Sequence, residues 1–133
     1  MIKLAILGSS GYIGSYLTSS LKKKCKIISH SRKKINDISF NKQIHKIVIG
    51  DIRNKKTIHN ILIQKPDSII YTISLNHIDS EKNISRSIEN NFLPLCELIE
   101  QIIKKKTKNK NNIFFYNASL WKRIQKKNNY RRL

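Results

Sequence analysis

Lys3-Leu4-Ala5-Ile6-Leu7-Gly8-Ser9-Ser10-Gly11-Tyr12-Ile13-Gly14 is the stretch on which the fold turns. Residues 2–7 are a short continuous apolar run that stops at a glycine, as a buried parallel strand does. Residues 12–23 then place Ile13, Tyr16, Leu17 and Leu21 at helical spacing, ahead of the lysines 22–24 that a helix C-terminus favours. Between the two, each glycine has a physical task. Gly8 permits the tight turn out of the strand. Gly11 lets the backbone approach a pyrophosphate, whose charge the helix N-terminus stabilises, and Gly14 lets the helix pack closely on the sheet. Ser10 belongs to the same turn, and Tyr12 and Ile13 would line the pyrophosphate through their backbone N–H groups. Three of the chain's four glycines sit here. The bland alternative is a glycine-containing turn that holds no ligand.

Working outward, short β-rich runs alternate with longer helical ones. Cys25 to His30 reads as a second strand and Lys46 to Gly50 as a third. A helix from about Lys55 carries Ile58, Ile61 and Leu62 and stops at Pro66; a fourth strand covers residues 67–74. A long helix is expected over residues 81–105, with Ile84, Ile88, Phe92, Leu95, Leu98, Ile99 and Ile102 on its inner stripe. Pro94 should kink or split it. Ile113 to Tyr116 supplies a fifth strand. Strand, helix, strand with short connections means right-handed crossovers. The fold class is α/β: a Rossmann-like, doubly wound parallel sheet of about five strands.

The end of the second strand bears on the ligand. A site for NAD expects Asp or Glu about 20 residues beyond the glycines, accepting from the ribose 2′-OH. Here the chain reads Ser29-His30-Ser31-Arg32-Lys33-Lys34, with no acid. Arg32 and Lys33, with Ser31 as a hydroxyl donor, suit a 2′-phosphate instead. NADP is therefore preferred, with NAD the alternative; a solvated basic loop is the competing explanation.

The 133 residues allow one domain. Lys+Arg number 27 against 8 Asp+Glu, a formal net charge of +19, which by itself suggests a polyanion partner. However, 25 Ile, 21 Lys and 14 Asn fill 60 of the positions, the composition that A/T-rich codons would produce whatever the function. No apolar run reaches the ~20 residues that span a bilayer, and a signal peptide is not expected after so short a run as residues 1–7. Cys25 and Cys96 lack a ligand spacing, and His30, His45, His59 and His77 show no pairing, so no metal site is expected. The histidines read as surface or satisfied side chains. A cytoplasmic location follows as the expectation, with no membrane partner.

The order of these features resembles the extended short-chain dehydrogenases, the NAD(P)-dependent epimerase/dehydratase group acting on nucleotide sugars. Gly8-Ser-Ser-Gly-Tyr-Ile-Gly14 resembles that group's GxxGxxG turn. Gly50-Asp51-Ile52 is similar to the Gly-Asp pair after the third strand, which implies that Asp51 contacts adenine; capping of the following helix is the alternative role. Tyr71-Thr72-Ile73-Ser74 occupies the segment that passes the cofactor. Asn91-Phe-Leu-Pro94-Leu-Cys-Glu-Leu-Ile-Glu100 resembles the family's Asn-x-x-Gly-Thr-x-x-Leu-Leu-Glu helix, with Pro94 in place of Gly. Phe115-Tyr-Asn117-Ala-Ser119-Leu-Trp121 falls where the family carries its catalytic Ser or Thr. The resemblance thus implies catalytic positions at Ser119 and Asn91. The wording of this last segment is similar to 4-ketoreductases of the CDP-abequose synthase type, which reduce a 4-keto nucleotide sugar.

One departure is decisive for activity. The family's chemistry uses Tyr-x-x-x-Lys, and no tyrosine of this sequence has a lysine four positions later. The expectation is a partial NAD(P)-binding domain over residues 1–119 followed by a basic tail over residues 120–133, truncated before the last strands and the substrate lobe and inactive alone. Two other readings stay open. The chain is half of a split enzyme completed by a second polypeptide, with a nucleotide-sugar substrate only in that assembly, or it is a basic nucleic-acid-binding module. Nucleic acid is disfavoured, because the aromatics that would stack on bases are mostly claimed by the fifth strand. An uncovered sheet edge at Ile113 to Tyr116 implies low stability or a homo-oligomer.

Overall fold

The computed structural model describes residues 1–37, 41–75, 77–105 and 112–115. The apolar run becomes β1 (Lys3–Leu7), and the glycine turn leads into α1 (Tyr12–Leu21). β2 (Lys26–Ser31) and β3 (Lys46–Ile49) follow, then α2 (Lys55–Leu62) and β4 (Ser68–Tyr71). Beyond them come α3 (His77–Lys82), α4 (Ile84–Ser87), a π-helical turn over Ile88–Phe92, α5 (Leu93–Lys105) and β5 (Asn112–Phe115). Every strand pair is parallel, and the order across the sheet is β3-β2-β1-β4-β5. The chain runs from β1 outward to β3, crosses back, and continues to the other side. This is the doubly wound arrangement, with its topological switch point between β1 and β4.

The register explains the two faces. Cα partners in parallel strands point to the same side, so Ala5, Ile28 and Ile69 share one face while Leu4 and Ile27 share the other. On the first face Leu7, Val48 and Tyr71 join Ile58 and Ile61 of α2 and Leu98 and Ile102 of α5 in the main core. On the second, Leu4, Ile6 and Ile27 pack under α1, with Leu17, Leu21, Cys25 and Ile70 only partly covered. The start of β4 is tied to β1 by Asp67: its backbone N–H donates to the Lys3 carbonyl at 2.9 Å, and its carboxylate accepts from the Lys3 N–H at 2.8 Å.

The long helix expected over 81–105 is interrupted twice. Asn83 leaves helical geometry with φ −150° and ψ 97°, and its side chain accepts from the Arg86 N–H at 2.9 Å, so a new helix starts there. The π-helical turn then ends at Phe92, two residues before Pro94, whose ring would press on the carbonyl four residues back in a continuous α-helix. The Leu93 N–H reaches the Ile88 carbonyl, one residue further back than an α-helix allows. One extra residue rotates what precedes it by about 100°. The expected stripe is corrected accordingly: Leu98 and Ile102 are buried, but Ile84, Ile88 and Phe92 are exposed. Ser119 and the expected boundary between residues 119 and 120 lie outside the described residues, as does Tyr116.

Candidate functional site

The carboxyl ends of β1, β2, β3 and β4 open onto one cleft of about 290 Å³. The glycine turn forms one wall with Gly8, Ser10 and Gly11; His30, Arg32, Asp51, Ile52 and Arg53 form a second, from β2 and the segment after β3. The third wall is Thr72, Ile73, Ser74 and Leu75 with Asn90 and Asn91 of the π-helical turn.

The turn is built around one carbonyl. The backbone N–H groups of Gly8 and Ser9 donate to the His30 carbonyl at 3.1 and 2.9 Å, and the Ser9 hydroxyl donates to the same oxygen at 2.8 Å. With its proton so used, Ser9 Oγ accepts from the buried Ser29 hydroxyl, 2.7 Å away. Gly8 has φ +90°, a conformation that disfavours a side chain, and Thr72 and Ile73 crowd its open side. A Cβ on Gly14 would overlap the carbonyl oxygen of Gly8. The helix therefore sits directly on the turn. Gly11 is the N-cap of α1 and supplies no side-chain hydrogen bond, so the first-turn N–H groups are left for an anion or solvent. By contrast, α2 is capped by Asn54, which accepts from the Lys56 N–H at 2.9 Å.

Asp51 is therefore not the cap of α2, as the alternative reading had it. Its carboxylate is held by Arg53: Nε approaches both oxygens at 3.0 and 3.1 Å, a terminal guanidinium nitrogen lies 2.6 Å from Oδ2, and the Arg53 backbone N–H donates to Oδ1 at 2.9 Å. These bonds bring the Asp51 carboxyl down to about 2, with the Arg32 charge adding to the effect. The arrangement keeps a fixed anion at the cleft's edge with two guanidinium groups nearby.

Of the residues expected from sequence, Gly8, Ser10, Gly11, Arg32, Asp51, Ile52, Ile73 and Asn91 line this cleft. Tyr12, Ile13 and Gly14 adjoin it as the first turn of α1, and the Tyr12 ring is exposed. Ser31 and Lys33 are not among its walls. Ser31 is buried and its hydroxyl donates to the Lys33 carbonyl at 2.7 Å, so its expected part as a donor to a 2′-phosphate is corrected. Asn91 lines the cleft with its amide bonded to protein. Its Oδ1 accepts from the Leu75 N–H at 2.7 Å and its Nδ2 donates to Ser87 Oγ at 3.1 Å. The amide so ties the loop after β4 to α4.

Arg53 and His30 are among the cleft residues not proposed as site residues from sequence. Arg53 carried no motif. His30 read as a surface or satisfied histidine, yet it is 2% exposed and only half satisfied: Nε2 lies 3.0 Å from the Gly50 carbonyl, and Nδ1 has no partner among the described residues. The only available signal was its place in the buried run after Lys26. Tyr71 is likewise buried, its hydroxyl has no partner among the described residues, and burial pushes that hydroxyl's pKa up. Among the described residues no group of three His, Cys, Asp or Glu could hold a metal, and no helix is long and apolar enough to cross a membrane.

The comparisons agree with this geometry. Residues 4–119 match the family described as the NAD dependent epimerase/dehydratase family. The chain belongs to that family. Among solved structures it is similar to L-threonine dehydrogenase from Clostridium difficile, with 24% identity and a TM-score of 0.72 over 86% of this chain and 36% of that one. The UDP-Glc/GlcNAc 4-epimerase from Campylobacter jejuni matches with 20% identity, a TM-score of 0.72 and the same coverage, 86% and 36%. The UDP-glucose 4-epimerase from Thermus thermophilus, solved in complex with NAD, matches with 16% identity and a TM-score of 0.67 over 77% of this chain and 34% of that one. At these identities the likeness establishes the fold. The chain spans about a third of the length of these structures. No curated protein sequence matches it.

Proposed function

We propose that this chain is a dinucleotide-binding unit that holds NADP, or NAD less tightly, in the cleft above the glycine turn. The observation that carries the reading is the uncapped start of α1 beside Gly8 and Gly11, at the switch point of a parallel sheet. The residues fit the group. Gly8 and Gly11 add no side chain to the turn's backbone, and the first-turn N–H groups of Tyr12, Ile13 and Gly14 have no side-chain cap competing for them. Arg32 on the cleft wall is the cation for a 2′-phosphate, with Lys33 beside it in the chain. Asp51 and the backbone of Ile52 face the adenosine end. When bound, the nicotinamide supplies hydride transfer; the residues named here bind and orient.

Turnover by this chain alone is not expected, because Tyr-x-x-x-Lys occurs nowhere in its 133 residues. A cytoplasmic location belongs to the same proposal; a nucleotide-sugar substrate belongs to the alternative reading, in which a second chain completes the enzyme. The test is titration of the purified chain with NADP+ and NAD+ by calorimetry, alongside Arg32→Asp. Tighter binding of NADP+ that Arg32→Asp abolishes is the expected result. Equal affinity for both cofactors would remove the 2′-phosphate reading, and no binding of either would remove the proposal.

A further inference from the structure

The wall of the cleft formed by β2 and the segment after β3 carries two guanidinium groups and one carboxylate, those of Arg32, Arg53 and Asp51. The three are unequally paired. Arg53 meets Asp51 edge-on: Nε and a terminal nitrogen span both carboxylate oxygens at 2.6 to 3.1 Å, and the Arg53 backbone N–H adds a further donor at 2.9 Å. Arg32 forms no ion pair among the described residues, although its charge is close enough to act on the Asp51 carboxyl.

Charge alone does not choose between the two arginines. An ionised carboxylate draws a nearby guanidinium into a two-point pair, and a guanidinium so held has fewer donors left for a phosphate. Position in the chain decides it. Arg53 is two residues beyond Asp51, and its backbone bond to Oδ1 already turns the carboxylate towards its own side chain. Arg32 comes from a different segment, directly after β2. With the carboxylate taken by Arg53, Arg32 keeps its donors for an anion that enters the cleft. We infer that Arg53 is a positioning residue that sets cofactor choice: by occupying the Asp51 carboxylate it leaves Arg32 free to bind the 2′-phosphate of NADP. The inference rests on the dinucleotide reading, in which Arg32 is the cation for that phosphate. It adds the reason that a carboxylate can stand beside this cation without disabling it. Arg53 acts through Asp51 and Arg32 and needs no contact of its own with the cofactor.

The test is a double-mutant cycle. The dissociation constants of NADP+ and NAD+ are measured by calorimetry for the wild-type chain, Arg53→Gln, Asp51→Asn and the double variant. The two side chains are 51% and 33% exposed, and surface pairs of this kind carry little stability, so the substitutions leave the fold intact. In Arg53→Gln the preference for NADP+ over NAD+ should fall about tenfold, the lower end of the worth of a hydrogen bond to a charged group, because Asp51 then competes for Arg32. In the Asp51→Asn background the same loss of Arg53 should change the preference by less than about twofold, because no carboxylate is left to compete. Taking the ratio of the two cofactors cancels any loss they share at the adenosine end. A wild-type preference that Arg53→Gln leaves unchanged overturns the inference while the dinucleotide reading stands. An equal fall with and without the Asp51 carboxylate also overturns it, since Arg53 would then bind the phosphate itself. Binding of neither cofactor by the wild-type chain overturns the dinucleotide reading and this inference together.

Discussion

At the scale of single residues, the cleft draws its order from a few buried polar atoms. The His30 carbonyl takes three donors from Gly8 and Ser9, and the Asn91 amide ties Leu75 to Ser87 across the loop after β4. Side chains that read as surface features in one dimension are here the fixtures of the turn. A pH dependence follows. Burial lowers the His30 pKa below its ordinary 6.5 in the folded chain, partly offset by the Gly50 carbonyl and the Asp51 charge. As pH falls below 6.5 the unfolded chain takes up a proton before the folded one does, so stability must decline from there down through the folded value. Thermal melts between about pH 7.5 and about 5 should show that decline in the wild-type chain and a flatter one in His30→Gln. Asp51 acts in the same direction but lower on the scale, between its usual value of 3.8 and about 2.

At the scale of elements, caps and packing decide where helices begin. α2 starts where Asn54 can bond the Lys56 N–H, and its inner side buries Ile58, Ile61 and Leu62. Asn54→Ala should cost about 1 kcal/mol, read as a shift in the denaturation midpoint with no change in slope. Leu98→Ala in α5, fully buried against the sheet, should cost more, about 2–5 kcal/mol; a smaller loss than at Asn54 would show that α5 is not part of the cooperative core. The strands were legible in sequence to within a few residues because each is a short apolar run ended by a polar or glycine signal. The long helix was not. Its periodicity is real on both sides of the break, but Asn83 and the turn before Pro94 rotate the first half out of register with the second, and spacing alone does not show which half faces the core.

At the scale of the whole molecule, the sheet ends on β3 at one side and β5 at the other. Edge strand β3 leaves Ile47 at 38% and Ile49 at 50% exposure, and the face under α1 covers Ile70 only in part. Apolar surface along a parallel edge invites pairing with another chain. Sedimentation of the purified chain should show self-association that grows with concentration, together with a low melting temperature; a highly stable monomer would contradict this. The net charge of +19 opposes such association at low salt, so added salt should favour it.

The glycine turn and the alternation of strands and helices could be read from the chain because each is local: a few consecutive residues carry the meaning. Right-handed crossovers narrow the strand order in the same way. Folding in three dimensions decided which polar groups are left over. His30, Arg53 and Asn91 acquire their roles only when the ends of β2 and β3 and the turn before α5 meet across the cleft. Whether a buried nitrogen finds a partner depends on backbone carbonyls about twenty residues away in the chain, such as that of Gly50 for His30, and no local pattern encodes that distance.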